Sequence, residues 1–273
     1  MSEVLIFSAF LAFLLFLVAG TGRKYAAILG WTLIVINLLI DVPDYLTLDN
    51  LLYPAIAVLS VPFLAITIRQ LLSDTPIVMQ LSNAAAVGTL IYVPFSFIPL
   101  FSNALISGVV QQSVWLLHAF SYNAQIQGID VIMLNGFGTE IILTCTGITS
   151  IAILLGVAAG SKNLSLKQGL YAFLLIVPTI YILNILRIVG VFIAWSNQWF
   201  AFLPDITGTT KFGPGYSSFF WAHNVFAELL ALVVLIVIAI GLFRIIPQLI
   251  DFARDLVDLY TGEVRVLIKR IQG

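Results

Sequence analysis

Charge is scarce in this chain. Of 273 residues only 9% are Asp, Glu, Lys or Arg, against about 25% in a soluble domain. The balance is near zero, 12 basic against 13 acidic residues, so no electrostatic footprint for nucleic acid exists. A single cysteine excludes an internal disulfide and any Cys-rich zinc cluster, while leaving a lone thiol available as a nucleophile. Internal repeats, low-complexity tracts and a second domain are also lacking. Only Ser2 and Glu3 precede the first apolar run, and without a basic n-region a cleaved secretory signal is not expected there. What fills the chain is apolar. Hydrophobic residues make up 61% of it, with a mean hydropathy of +1.09, which rules out a soluble globular protein and indicates an integral membrane one.

A bilayer core about 30 Å thick needs about 20 predominantly apolar helical residues. Seven segments meet this pattern: Val4–Gly20, Tyr25–Ile40, Leu51–Ile68, Ile77–Leu100, Thr144–Gly160, Gly169–Trp195 and Phe219–Phe243. Seven spans with the N-terminus outside leave Arg23, Lys24, Arg69, Lys162, Lys167, Arg244, Arg254, Arg265, Lys269 and Arg270 in the cytoplasm, as the positive-inside bias requires. Lys211 falls in an outer loop, and Arg187 lies inside a span. Asp41, Asp44, Asp49, Asp130, Glu140 and Asp205 fall outside. Residues 104–120, apolar but interrupted by Gln111, Gln112 and His118, read as an outer amphipathic or re-entrant segment. A full crossing there would flip the first half of the chain.

Residues 121–143 read as a β-hairpin: an alternating stretch Ile129–Leu134, a turn Asn135-Gly136-Phe137-Gly138, then Thr139–Leu143 leading into the fifth span. After Pro247, Leu249, Phe252, Leu256 and Leu259 recur at helical spacing among charges, the pattern of an interfacial helix on the cytoplasmic leaflet. The expected fold is therefore an all-α polytopic membrane protein. It has about seven transmembrane helices, an outer hairpin or loop region, and a cytoplasmic amphipathic C-terminal helix. Residues 1–246 form one transmembrane domain with its site at the outer face, and 247–273 form the cytoplasmic interfacial tail.

Function has to come from groups that are costly to place in lipid. Those are Arg187, His223 and Glu228, together with Cys145. Counting from cytoplasmic anchors, Lys162 to Cys145 is 17 residues, Lys167 to Arg187 is 20, and Arg244 to His223 is 21. At the helical rise these are depths of about 25, 30 and 31 Å. Three helices thus carry a thiol, a guanidinium and an imidazole to the outer edge of the hydrocarbon core.

A thiol becomes a good nucleophile when a cation, a His or a helix N-terminus lowers its pKa, and the start of the fifth helix offers the last of these. His223 can accept a proton near neutral pH; Arg187 cannot, but it can stabilise a thiolate or an oxyanion. Packing readings stand beside this one. A lone Cys in an apolar helix is commonly a core residue, an Arg near a helix end snorkels, and His223 beside Trp221 sits where interfacial residues gather. His118 is read as structural, and Gly156-Val157-Ala158-Ala159-Gly160 as a packing face.

Thr144-Cys145-Thr146-Gly147-Ile148, then Asn184-Ile185-Leu186-Arg187-Ile188, then His223, resemble the exosortase/archaeosortase family of membrane-embedded cysteine transpeptidases. The family pattern is Cys, a small residue, Gly and an aliphatic, then an Asn-x-x-Arg helix, then His or Arg. The order is kept here over about residues 125–245, and the third position is His where some archaeal members carry Arg. The resemblance implies Cys145, Arg187 and His223 as catalytic residues, with no cofactor and no metal. It implies substrates that are surface proteins ending in a short signature, a transmembrane helix and a basic tail, with a membrane lipid as acceptor. The signature is Pro-Gly-Phe for archaeal substrates such as S-layer glycoproteins, and Pro-Glu-Pro in bacteria. Asn184, one helical turn before Arg187, is expected to orient the guanidinium or a substrate carbonyl, and the Gly- and Pro-rich segment Asp205–Tyr216 to cover the site.

Two other classes stay open at this point. A transporter or channel would use Arg187, His223 and Glu228 as a polar pathway, and would leave Cys145 dispensable. A membrane scaffold would use the same residues only to pack helices.

Overall fold

Long apolar runs with little interior charge form long helices, and the computed structural model, which describes residues 2–47, 52–205 and 215–272, is built mainly from them. In chain order these are α1 (Ser2–Val18), α2 (Arg23–Ile40), α3 (Val42–Thr47), α4 (Leu52–Leu72), α5 (Pro76–Phe97), α6 (Pro99–Ala119), strands β1 (Gln125–Gln127), β2 (Val131–Leu134) and β3 (Phe137–Glu140), a 3₁₀ turn (Leu143–Thr146), α7 (Ile148–Ala159), α8 (Leu166–Ser196), α9 (Tyr216–Phe220), a π-helical turn (Trp221–Ala227), α10 (Glu228–Ile245) and α11 (Gln248–Gln272). Among the described residues six helical stretches are long and apolar enough to cross a membrane. The protein is a multi-pass, all-α membrane protein.

The expected spans are found with three differences, and the first expected span, Val4–Gly20, forms α1, an apolar helix of 17 residues that falls short of those six. Residues 104–119 belong to α6, a continuous helix of 21 residues that is capped by Phe120 and is itself long enough to cross. Pro99 stands in its first turn, where a missing N–H costs nothing. Gln111, Gln112 and His118 share an exposed face and do not interrupt it. His118 instead closes the exit from α6, its Nε2 lying 2.8 Å from the Ala124 carbonyl. The fifth expected span, by contrast, holds only the 12 residues of α7. Gly147, in the left-handed region at φ 82, separates that helix from the 3₁₀ turn before it.

The chain divides into two compact units. The first comprises Met1–Val93, Ala152–Ala172 and Leu242–Gly273, the second Pro94–Ile151 and Phe173–Gly241. The first unit carries ten of the twelve cations, Arg23 through Arg270, while Arg187 and Lys211 fall in the second. Within the first unit the Lys24 ammonium pairs with Asp74 at 2.6 Å, joining the α1–α2 and α4–α5 connections. The α11 helix buries Leu249 and Phe252, the face the spacing predicts. It is fastened to α4 by a Thr67–Tyr260 hydroxyl pair at 2.6 Å and by Arg69 to Glu263 at 2.9 Å.

Small residues let α5 and α7 approach closely, as expected for Gly156–Gly160. A Cβ on Gly156 would stand 2.5 Å from the Ala84 carbonyl oxygen and 2.9 Å from the Gly88 nitrogen. Backbone cannot yield there as a side-chain tip can. Gly156→Val is therefore expected to cost about 1–3 kcal/mol, read as a drop in thermal unfolding temperature of the detergent-solubilised protein. An unchanged transition would mean the two helices are free to separate.

The second unit is organised around a buried cluster that includes Val110 and Val114 of α6, Ile132 and Leu134 of β2, and Val189 and Phe192 of α8. The hairpin forms where expected, with a tighter turn and one more strand. Asn135 and Gly136 alone make the turn, with φ of 52 and 84, the two positive values a two-residue type I′ turn demands. Phe137 already pairs with Leu134, and β1 adds a third antiparallel strand on β2. The alternation in β2 puts Ile132 and Leu134 into the core, so the sheet is a lid of fixed register from which the chain enters the 3₁₀ turn.

Candidate active site

Cys145 lies in that 3₁₀ turn, half-buried, with its backbone N–H donating to the Ile142 carbonyl at 2.9 Å. It stands ahead of α7 and not inside the helix. Its place is fixed from two sides. On one, Gly147 takes the left-handed conformation that lets the chain turn into α7. On the other, the buried Asn184 of α8 donates from Nδ2 to the Cys145 carbonyl oxygen. Asn184 was expected to orient the guanidinium or a substrate carbonyl; in the structure its amide holds the main chain of Cys145.

Arg187 follows one turn later on α8. Its Nη2 lies 3.4 Å from His223 Nε2, and its Nε is buried without a hydrogen-bond partner among the described residues. Guanidinium nitrogens only donate, so Nε2 is the accepting ring nitrogen. The ring proton then sits on Nδ1, which lies 2.6 Å from Asn224 Oδ1. The Phe219 ring stacks on the imidazole at 5.1 Å between centroids. These residues sit in or beside the π-helical turn Trp221–Ala227, an irregularity that recurs at functional positions.

Cys145, Arg187 and His223 line one small cavity of about 70 Å³, with Thr139 and Glu140 of β3 and Phe219 among its other walls. All three predicted residues are brought together. Arg187 also borders a larger groove of about 450 Å³ between α8 and the π-turn and α10, lined by Asn184, Gly147 and apolar side chains. Gly190 and Ala194 of α8, Ala227 of the π-helical turn and Ala231 of α10 are among its lining residues. Glu228 is exposed and lines neither cavity. Among the described residues no group of three His, Cys, Asp or Glu side chains is placed to hold a metal ion. Of the covering segment Asp205–Tyr216, residues 206–214 lie outside the described residues, as do Asp49 and Lys211.

Three features escaped sequence reasoning. In the sequence Glu140 reads only as an outer acidic residue; its position five residues before Cys145, at the end of a strand, is the available signal. Asn224 and Phe219 are neighbours of His223 in sequence, but nothing marks them as its ring partners until the helix turn is known. Their placement gives a test: Phe219→Ala removes the stacking partner, and is expected to lower any activity that depends on His223 by about tenfold, with little change in substrate affinity.

Gly147→Ala would place a Cβ 3.1 Å from Ile180 Cγ2 while keeping φ near 82. It is expected to cost about 1–2 kcal/mol and to displace Cys145. A thermal shift together with a slower thiol-labelling rate would report both.

The transmembrane exosortase family model matches residues 2–221 of this chain. That stretch contains Cys145 and Arg187 and ends just before His223. Archaeosortase A of Natronomonas pharaonis is 31% identical over 208 residues, covering 69% of this chain and 64% of the relative. Archaeosortase A of Haloferax volcanii is 28% identical over 206 residues, covering 67% of each. The chain thus spans about two thirds of the length of these relatives. No solved structure matches it.

Proposed function

Because the chain belongs to the transmembrane exosortase family, we propose that it is a cysteine transpeptidase that processes the C-terminal sorting signal of surface proteins within the membrane. The observation that carries this is the single small cavity walled jointly by Cys145, Arg187 and His223. A nucleophile, a proton acceptor and a fixed cation around one space are the parts acyl transfer needs.

In the proposed reaction Arg187 Nη2 gives up its 3.4 Å contact with His223 Nε2 and turns to the substrate, and the freed Nε2 lone pair takes the proton of the Cys145 thiol. The sulfur attacks the scissile carbonyl, and the carbonyl electrons move to oxygen. Arg187, which lines both cavities, donates to that oxyanion. The C–N bond breaks, and the leaving amine takes the proton from His223. The thioester on Cys145 is then attacked by a hydroxyl or amine of a lipid headgroup, or by water, which restores the thiol. Asn184 keeps the Cys145 main chain in place throughout. The α8–α10 groove suits an apolar segment leading to the scissile bond, since its small residues allow close backbone approach.

The distribution of charge supports an outer-face site. Arg23, Lys24 and Lys162 line one cavity of the first unit, so the α1–α2, α4–α5 and α7–α8 connections lie together. A basic end of the first unit facing the cytoplasm follows the positive-inside bias, and the second unit, which holds the reactive trio, carries only Arg187 and Lys211 of the twelve cations.

The test is reconstitution in vesicles with a substrate carrying Pro-Gly-Phe, an apolar helix and a basic tail. Loss of the helix and tail from the product is expected, with a mass gain equal to a lipid when a lipid is the acceptor. Substrates with Pro-Gly-Phe and Pro-Glu-Pro signatures both left intact, with no adduct on Cys145, would sink the proposal. Glu228→Gln is expected to leave processing within about twofold of wild type, the range of an uninvolved surface change, and a transporter pathway would require the opposite.

A further inference from the structure

Away from the reactive trio, the first unit holds a cavity of about 670 Å³ at its basic end. Three cations, Arg23, Lys24 and Lys162, and one carboxylate, Asp74, line it. Lys24 and Asp74 neutralise each other at 2.6 Å. Neither Arg23 nor Lys162 has an ion pair among the described residues, so the cavity carries an uncompensated positive charge.

An independent sign comes from Ser161. Its side chain belongs to a residue only 7% exposed that lines the cavity, and its Oγ is buried without a hydrogen-bond partner. Buried hydroxyls are almost always satisfied, so an orphan at a cavity wall points to an absent acceptor. The 18-residue helix α2 also begins at this wall, behind Gly22, with no side chain capping its first N–H groups. Such helix starts favour anions. Leu17, Met79 and Val87 also line it, with the polar Gln80 and Asn83, so the space offers both cationic and apolar side chains.

We infer that this cavity binds a phosphoryl group, supplied by the headgroup of an anionic phospholipid of the adjoining leaflet. Its volume falls in the range of small-ligand sites, about 300–1,000 Å³, and basic pockets between transmembrane helices are suited to such headgroups. Arg23 and Lys162 meet the phosphate charge, and the Ser161 hydroxyl donates to a phosphate oxygen. The apolar wall receives the glycerol end of the acyl chains. This site shares no residue with the Cys145 cavity, and it stands whether or not the chain is a transpeptidase.

Native mass spectrometry of the full-length protein in detergent would test it, titrating phosphatidylglycerol, phosphatidylcholine and inorganic phosphate separately. Wild type is expected to retain one phosphatidylglycerol in preference to phosphatidylcholine. Each of Arg23→Gln and Lys162→Gln should weaken retention about fivefold, and the double variant about 25-fold. Both side chains are exposed, so folding should be unaffected. Asp74→Asn supplies a change of opposite sign. Asp74 has a φ of 54, a conformation asparagine tolerates, and loss of its charge frees Lys24, so retention should tighten. Saturable binding of inorganic phosphate that blocks the lipid, lost in the same double variant, would keep the phosphoryl site and make free phosphate its ligand. Equal retention of the two lipids, equal binding by wild type and the double variant, or no binding at all would overturn the inference.

Discussion

Cys145→Ala is expected to lower processing of a sorting-signal substrate by about 10⁴-fold or more, the scale of losing a nucleophile. Cys145→Ser is expected to fall nearly as far, because no neighbour in the cavity replaces the acidity of the thiol. The change should be nearly silent for the fold. Cys145 is half-buried at the edge of the second unit's core, and trimming one sulfur there costs about 1 kcal/mol. Activity and unfolding temperature must therefore be read together. Loss of processing with an unchanged transition, and a covalent adduct at Cys145 in wild type alone, supports acyl transfer. Full processing by folded Cys145→Ala protein would remove the thiol from the mechanism and bring the transporter reading forward.

Arg187→Lys carries the second large effect. It keeps the charge, yet processing is expected to drop by about 10²–10³-fold, as when an oxyanion donor is lost. The physical reason lies in the shape of the guanidinium. Nη2 reaches His223 at 3.4 Å while Nε is buried without a partner, and the side chain borders two cavities at once. An ammonium offers a single point of charge and lacks the fork. Because the oxyanion exists only during reaction, the loss should fall on kcat and on kcat/KM equally, with KM little changed. A lysine variant within about threefold of wild type would leave Arg187 with a packing or snorkelling role.

Membrane embedding was legible from composition alone, since lipid as solvent demands long uncharged helices and tolerates little else. The positions of α2, α4, α5, α8 and α10 follow directly from their apolar runs. The amphipathic face of α11 follows from its spacing, and the hairpin from an Asn135-Gly136 pair that few other structures accommodate. Length misled at three places, the first being residues 4–20, whose helix α1 ends at Val18 after 17 residues. Residues 99–119 form one unbroken helix despite their polar face, because in-helix hydrogen bonds do not depend on which side chains point outward. Residues 144–160 look like one span, yet Gly147 divides them by adopting a positive φ that hydropathy cannot register.

The site was half legible. Cys145, Arg187 and His223 could be named because each is expensive or rare in lipid, and their motifs resembled a family that the comparisons then supported. The sequence by itself determined which segments enter the membrane and which of their groups are chemically unusual, as those depend on local transfer energies summed along the chain. Only the tertiary structure decided that the three groups share one cavity, that Asn184 grips the Cys145 main chain, and that Asn224 and Phe219 fix the imidazole. It alone gathered Arg23, Lys162 and Ser161 around a second space. Those outcomes depend on how helices far apart in sequence pack and where a single turn widens to a π-helix, and no local residue preference encodes either.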